Sequence, residues 1–132
     1  MRVFLDTNVL ASATATRGLC SDVLREVFAS HDLIVSRPLF KELRRVLSKK
    51  FGVSQGLINE FIWLLHQDTI LAEPGRVPHV NLDDKDDLPI LASALSGKAD
   101  IFVTGDKELL NLGHIGALEI LSPRQFWERL TA

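Results

Sequence analysis

The chain has 132 residues, of which 46% are hydrophobic and 24% charged. These proportions are ordinary for a soluble globular protein, and the length suggests a single domain that spans residues 1–132. The formal net charge of −2 gives no global basic field of the kind that attracts nucleic acid, although a local basic stripe is still compatible with it. The single cysteine, Cys20, excludes an internal disulfide and a cysteine-based metal site. No apolar run reaches the ~18 residues needed to span a bilayer, and we expect a cytoplasmic protein with no membrane partner.

Apolar runs alternate with helix signals along the first half of the chain. Residues 2–5 predict a buried strand, and residues 7–13 predict a short helical turn directly after it. Ser21 is the predicted cap of a helix that ends near residue 30. The inward face of that helix is predicted to hold Val23, Leu24, Val27 and Phe28. A short strand over residues 33–35 follows, and Ser36 then caps a helix with a proline in its first turn.

The second half of the chain continues the same alternation. Ser54 is the predicted start of a helix whose apolar stripe consists of Leu57, Ile58, Phe61, Leu64 and Leu65. The later elements are predicted as a strand over 70–72, a loop over 73–87, a helix over 88–95, a strand over 101–103, a short helix from Lys107, a strand over 118–121 and a C-terminal helix opened by Ser122 and Pro123. Such alternation predicts an α/β protein with a parallel sheet covered on both faces.

Acidic residues follow two of the predicted strands. Asp6 comes directly after the first strand, and Asp106 follows the strand over 101–103 by way of Thr104 and Gly105. Because the carboxyl ends of parallel strands share one edge of a sheet, where ligands bind, the two carboxylates are expected to face one pocket. Each aspartate also suits the N-cap of the helix that follows it, and the spacing alone leaves these two interpretations equal.

Two further acids are candidates because of their positions. Asp87 directly precedes a helix of small residues and is the best placed of the acids in the run 83–87, for which a solvated helix cap is the competing interpretation. Glu42 lies beside a predicted inward stripe, where a carboxylate costs free energy unless it is paired. The alternative for Glu42 is a salt bridge with Arg44 or Arg45.

The mutual repulsion of such acids limits what the cluster can be. Two carboxylates about 5 Å apart repel by roughly 3 kcal/mol at an effective dielectric near 20. Four of them make six pairs, so a converged site costs on the order of 10 kcal/mol, which rivals the net stability of a domain. The cluster therefore needs bound cations or retained protons, and oxygen ligands without cysteine or histidine suit Mg²⁺ or Mn²⁺.

Four segments carry these acids in a fixed order. They are Leu5-Asp6-Thr7-Asn8-Val9-Leu10, then Glu42-Leu43 with Val46-Leu47, then Asp87 ahead of Ile90-Leu91-Ala92-Ser93-Ala94-Leu95, and last Asp100-Ile101-Phe102-Val103-Thr104-Gly105-Asp106. Over nearly the whole chain, this arrangement resembles the PIN-domain family. The resemblance implies a three-layer α/β/α sandwich with a central, mainly parallel sheet.

The resemblance also implies an activity and partners. It implies a ribonuclease that uses Mg²⁺ or Mn²⁺ to hydrolyse single-stranded RNA, often as the VapC-like toxin of a toxin–antitoxin pair. Such proteins often form homodimers and bind a small antitoxin protein. The family's catalytic and metal-binding acidic quartet falls on Asp6, Glu42, Asp87 and Asp106. Asn8 and Thr104 match polar residues that support the site, and Asp84 and Asp86 compete with Asp87 for its place.

An RNA substrate requires positive charge near these acids. Lys41, Arg44 and Arg45 lie within one helical turn of Glu42 and are predicted to hold phosphates, with a plain solvated helix face as the alternative. The apolar helix over 57–65 is a candidate contact for a partner protein, with core packing as the competing use.

Other classes of protein also place acids at strand ends. A phosphoryl-transfer enzyme of the haloacid-dehalogenase type needs a second aspartate where this chain has Asn8. A receiver-like signalling domain needs a pair of adjacent acids beside the first strand, which Asp6 lacks, although Lys107 suits the lysine that it requires. The remaining alternative is a catalytically silent PIN-like module for RNA binding or assembly.

Overall fold

The computed structural model describes all 132 residues, from Met1 to Ala132. Six strands form one sheet, and seven helices connect them. The strands are β1 (Arg2–Leu5), β2 (Asp32–Ser36), β3 (Ile70–Ala72), β4 (Ile101–Val103), β5 (His114–Ile115) and β6 (Leu118–Leu121). The helices are α1 (Thr7–Ala15), α2 (Leu19–Ser30), α3 (Arg37–Lys49), α4 (Gln55–Leu65), α5 (Asp87–Ser96), α6 (Lys107–Leu112) and α7 (Pro123–Leu130).

The sheet has the strand order β3-β2-β1-β4-β6-β5. All neighbouring strands run parallel except β5, which pairs antiparallel with β6. From β1 the chain builds outward through β2 and β3 on one side and through β4 and β6 on the other. The boundary between β1 and β4 is therefore the topological switch point, and the crevice at the carboxyl ends of these two strands is the expected ligand site of such a sheet.

Both faces of the sheet are covered. Val3, Phe4 and Leu5 are each fully buried although successive strand residues point to opposite faces. The same holds for Leu33, Ile34 and Val35 in β2. The central strands pack directly, with the rings of Phe4 and Phe102 stacked at a centroid distance of 5.4 Å. The α/β class with a central, mainly parallel sheet is thus confirmed.

Three of the predicted helix starts are confirmed by side-chain caps. The Ser36 hydroxyl accepts a hydrogen bond from the Leu39 amide at 3.3 Å, and the Ser54 hydroxyl accepts one from the Leu57 amide at 3.4 Å. At the start of α7, Ser122 forms a reciprocal capping box with Gln125. These local signals are strong because each cap satisfies amide groups that the helix itself leaves without partners.

The prediction for α2 was wrong at its start and for one residue of its inward face. The helix begins at Leu19 rather than after a Ser21 cap, and Gly18 precedes it with φ of 143° and no side-chain cap. Glycine reaches this conformation without strain, so the chain enters the helix earlier than the serine suggests. Val23, Leu24 and Val27 are buried as predicted, but Phe28 is 43% exposed.

The predicted stripe of α4 was right for Ile58, Leu65 and the partly buried Phe61, but wrong for two leucines, because the helix is rotated. Ile58, Ile62 and Leu65 are the buried residues. Leu57 and Leu64, which were expected inside, are 59% and 54% exposed. Leucine and isoleucine occupy several faces of this helix, so more than one stripe satisfies helical periodicity and the sequence does not select among them.

Two elements, α5 and β5, also differ from the prediction. The predicted loop ends one residue earlier than expected, because α5 already includes Asp87. The two-residue strand β5 was missed, since a strand of this length carries no periodic signal. None of the helices is long and apolar enough to cross a membrane.

Candidate active site at the carboxyl edge of the sheet

Asp6 lies at the end of β1 and is only 7% exposed. Its backbone amide continues the sheet by donating to the Val103 carbonyl at 2.9 Å. Its Oδ1 accepts a hydrogen bond from the Thr7 amide at 2.8 Å, and its Oδ2 accepts one from the Thr104 hydroxyl at 2.7 Å. Burial raises the pKa of Asp6, these two hydrogen bonds oppose the rise, and the charge of Asp106 adds to it. Asp6 therefore serves as a helix cap and also presents a buried carboxylate at the edge of the sheet.

Asp106 lies at the end of the neighbouring strand and is connected to Asp6 through one side chain. The Thr104 hydroxyl donates to Asp6 and accepts a hydrogen bond from the Asp106 amide at 3.1 Å. Asp106 caps α6, because its Oδ1 accepts from the Glu108 amide at 2.8 Å. These two hydrogen bonds of Thr104 agree with the expectation that Asp6 and Asp106 lie at one edge of the sheet.

Of the acids in residues 83–87, only Asp87 is buried. It is 9% exposed, and its Oδ2 is buried without any hydrogen-bond partner. Burial raises the pKa of Asp87 to about 7, and the charges of Asp6, Asp84, Asp106 and Glu42 add to the rise. A buried carboxylate oxygen without a partner is costly, so this group requires a proton or a cation.

Glu42 faces the same cluster from α3. Burial raises its pKa, with Asp6 as the next largest cause, while Arg45 opposes the rise. The predicted alternative of a salt bridge is not what the structure contains, since the ion pairs present involve Asp22, Glu73 and Glu119. The charges of Asp6, Glu42 and Asp106 thus all act on Asp87.

Two neighbours of Asp87 occupy the rim of the cluster. Asp84 and Asp86 are exposed, and the Asp86 amide donates to Asp84 Oδ1 at 2.9 Å. Both charges raise the pKa of Glu42. Burial therefore favours Asp87 over these two competitors.

The donor chemistry fits a hard divalent cation, but the coordination shell is not closed. All the candidate ligands are carboxylate oxygens, the type that Mg²⁺ and Mn²⁺ prefer, and Asp87 Oδ2 lacks any other partner. However, no three histidine, cysteine or acidic side chains are positioned to share one ion. The hydrogen bonds of Asp106 engage only Oδ1, which leaves its other oxygen available.

The predicted supporting residues have different surroundings. Thr104 is fully buried between the two strand ends, as described above. Asn8 is exposed and accepts a hydrogen bond from Lys50 Nζ at 3.4 Å, and it makes no hydrogen bond to the acids. Asn8 therefore lies at the rim rather than inside the carboxylate network.

Glu108, which connects two sides of the cluster, was not predicted as a site residue. Glu108 in α6 accepts hydrogen bonds from the Asp83 amide at both carboxylate oxygens, at 2.9 and 3.2 Å. This contact joins residues 25 positions apart and depends on a backbone amide. Because backbone donors exist at nearly every residue, no sequence pattern marks such a partner.

A groove of about 810 Å³ opens beside the cluster. One wall is α3, and the others are the segment after β3 and the start of α5. It is lined by Arg37, Pro38, Lys41, Glu42, Arg45, Glu73, Pro74, Asp86, Pro89 and Ile90. Two of the predicted RNA-binding residues, Lys41 and Arg45, line this groove. The third, Arg44, instead donates to Asn59 Oδ1 at 2.7 Å.

The fold and this edge define an α/β protein with an acidic cluster at its topological switch point. The model of the PIN domain matches residues 2–108, which is most of the chain. The chain therefore belongs to the PIN-domain family, as the resemblance of its four acidic segments predicted.

Solved structures agree with this assignment. The chain is similar to a chain of the VapBC2 complex from Rickettsia felis, crystallised with a DNA fragment from its promoter, with a TM-score of 0.67 and 15% identity over 92% of this chain and 98% of that one. It is also similar to a chain of VapBC-1 from nontypeable Haemophilus influenzae, with a TM-score of 0.63 and 18% identity over 94% and 99%. At these identities the likeness shows a shared fold. No curated protein matches the sequence.

Proposed function

We propose that this protein is a metal-dependent endoribonuclease that hydrolyses phosphodiester bonds of single-stranded RNA. The observation that carries the proposal is the buried Asp87 carboxylate, whose Oδ2 lacks a partner beside Asp6, Asp106 and Glu42. Membership of the PIN family supports a nuclease, and a buried acidic cluster of this kind supports a cation as its missing partner.

The metal ligands in this proposal are Asp6, Glu42, Asp87 and Asp106, holding one or two Mg²⁺ or Mn²⁺ ions. When bound, the ion lowers the pKa of a water molecule and stabilises the charge that develops on the phosphate. Asp6 and Asp87 supply the buried, fixed side of the site. Glu42 is half-buried and Asp106 exposed. The Glu108 amide holds Asp106 Oδ1, which leaves Oδ2 as the oxygen proposed to bind the ion.

The remaining steps belong to side chains of the chain itself. The Thr104 hydroxyl fixes the orientation of Asp6 by donating to Oδ2. Either Glu42 or Asp87 is the proposed acceptor of the proton of the attacking water, because both carboxylates belong to the cluster and lie beside the proposed ion. Asn8 is proposed to support the site from its rim.

The partners of the protein follow from the same family. We propose that it is the toxin of a toxin–antitoxin pair, which its fold similarity to chains of two VapBC complexes supports. A small antitoxin protein and a second copy of the chain are the proposed protein partners. The exposed side chains of Leu57, Trp63 and Leu64 on α4 offer an apolar surface for one of these contacts. A cytoplasmic location stays a prediction.

RNA cleavage by the purified protein tests this proposal. We expect wild-type protein to cut single-stranded RNA with Mg²⁺ or Mn²⁺ and to lose the activity in EDTA. D6N, D87N and D106N should each lower the rate at least about a hundredfold, since each removes a charged metal ligand. D83N is the matched control, because Asp83 is exposed in the same acidic run and is not among the charges that raise the pKa of Glu42 or Asp87.

One observation favours a second function. Because no three acidic side chains converge on one point, the fold is also compatible with a catalytically silent module that binds RNA or assembles with partners. That function predicts RNA binding without cleavage at any Mg²⁺ or Mn²⁺ concentration.

For the nuclease, equal cleavage by wild-type protein and D106N would contradict the assignment of the metal ligands.

A further inference from the structure

The basic side chains of α3 form a line along one wall of the groove. Arg37, Lys41 and Arg45 are exposed and lie four residues apart, so they follow one face of the helix. A spacing of four residues corresponds to a rise of about 6 Å per step. This places three positive charges at regular intervals along the groove, as a polyanionic strand requires.

The neighbouring Arg44 is directed elsewhere. Its Nη1 donates to Asn59 Oδ1 on α4 at 2.7 Å, and it does not line the groove. The structure therefore divides a continuous basic stretch of sequence into two surfaces. Arg44 has the same charge and exposure as Arg45 next to it, which makes it a matched control.

The line of charges leads to the acidic cluster. Glu42 and Asp86 line the same groove, and Arg45 lies close enough to Glu42 to oppose the rise in its pKa. The opposite wall includes Pro74 and Pro89, and no aromatic side chain lines the groove. Without stacking surfaces, a nucleic acid in this groove would be held mainly through its phosphates.

We propose that this groove is the binding path of single-stranded RNA, with backbone phosphates contacting Arg37, Lys41 and Arg45. This inference rests on the proposed ribonuclease function and assigns its substrate contacts. Arg37 replaces Arg44 in the set expected from the sequence.

The ion pair at the mouth of the groove gives the proposal a second test. Arg37 Nε lies 3.7 Å from Glu73 Oε1, and the two side chains are 76% and 64% exposed. An exposed pair of this kind is weak, so a phosphate is able to displace Glu73 from Arg37. Substitution of either residue breaks the pair, but only Arg37 offers a contact to phosphate.

Binding of a fluorescein-labelled single-stranded RNA, measured by anisotropy in EDTA over a series of KCl concentrations, tests the path without any cleavage. R37Q, K41Q and R45Q should each make the slope of log affinity against log salt shallower by about 0.7, the value for one lost phosphate contact to a single strand. R44Q should leave the slope unchanged. E73Q should tighten binding, because it removes a negative charge and releases Arg37.

The outcomes separate this inference from the function on which it rests. If R44Q weakens RNA binding as much as R37Q and R45Q, the basic residues attract RNA regardless of whether they line the groove, and the proposed path is overturned. If R37Q and E73Q weaken binding equally, Arg37 acts only through its ion pair and the phosphate contact is overturned. If R37Q, K41Q and R45Q show the predicted slopes but the wild-type protein does not cleave RNA in Mn²⁺, the binding path is supported and the nuclease function is contradicted. If the wild-type protein cleaves RNA and the three slopes are unchanged, the nuclease function is supported and the binding path is overturned.

Discussion

At the scale of single residues, Asp87 is the carboxylate whose pKa is raised both by burial and by every other acid of the predicted quartet. Its carboxylate is buried by the start of α5, and four other acids raise its pKa further. Burial without a partner makes the ionised form unfavourable in the metal-free protein. The group therefore links the stability of the fold to pH and to the presence of a cation.

The metal-free protein should lose stability as the pH rises from about 4 to about 7. The pKa of Asp87 is raised from 3.8 to about 7 on folding, so the folded chain holds its proton over a range where the unfolded chain has lost it. The resulting stabilisation is complete below pH 4 and is lost as the pH approaches 7, up to about 4 kcal/mol at 1.4 kcal/mol per pKa unit.

Urea denaturation in EDTA across this pH range measures the effect. D87N should show a much flatter dependence of the unfolding free energy on pH than the wild-type protein, because its amide does not titrate. D83N, from the exposed part of the same run, should follow the wild type. Parallel curves for D87N and the wild type would show that Asp87 titrates normally in the folded protein.

At the scale of elements, α6 holds the acidic loop in place. The Glu108 carboxylate accepts from the Asp83 amide, while the Glu108 amide donates to Asp106 Oδ1. One residue thereby connects the end of β4 to the loop that carries Asp84 and precedes Asp87. We infer that Glu108 is a positioning residue for the cluster.

E108A should release this loop without unfolding the protein. A hydrogen bond to a charged acceptor contributes about 1.5–3 kcal/mol, so the Asp83 amide should exchange its hydrogen at least about tenfold faster. E108Q keeps an acceptor oxygen and should restore most of the protection. Equal protection in E108A and the wild type would mean that the contact does not hold the loop.

The elements also show what the sequence can specify. Ser36, Ser54 and Ser122 were identified as helix starts because a cap and its helix are adjacent in the chain. The rotation of α4 was not predictable, because its apolar residues lie on several faces and the packing partner decides which face is buried. The contact of Glu108 with Asp83 likewise exists only after distant elements have packed.

At the scale of the whole molecule, the C-terminal end of α5 packs closely on the central sheet. Gly97 ends α5, and a Cβ atom there would lie 2.8 Å from Ile34 Cγ2 and 3.0 Å from Ala72 Cβ. These neighbours belong to β2 and β3. The absence of a side chain at Gly97 thus allows the C-terminal end of α5 to pack closely on β2 and β3.

G97A should destabilise the protein by about 1–3 kcal/mol, the usual cost of overpacking a core. G56A is the matched control, because a Cβ at Gly56 in α4 meets nothing within 4 Å and should be neutral or slightly stabilising. Equal unfolding free energies for both variants, measured in urea, would show that the packing at Gly97 is loose.

The arrangement of the whole site was largely predictable because the topology follows from the alternation of elements. A parallel sheet brings the ends of β1 and β4 together whatever the loops do, so Asp6 and Asp106 were expected at one edge. The line formed by Arg37, Lys41 and Arg45 was not predictable from the sequence. The direction of an exposed side chain depends on its neighbours, as the hydrogen bond of Arg44 to Asn59 shows. The sequence also left Asp84, Asp86 and Asp87 as competitors, and of these three the fold buries only Asp87.

The central claim is that the four carboxylates form a binding site for a divalent cation. An anomalous difference map from crystals grown with Mn²⁺ tests it most directly. We expect a peak bounded by Asp6, Glu42, Asp87 and Asp106, with carboxylate oxygens at about 2.0–2.3 Å, typical of hard cations of this size. A fully ordered site without a peak, or Mn²⁺ bound only at the exposed Asp84 and Asp86, would contradict the account.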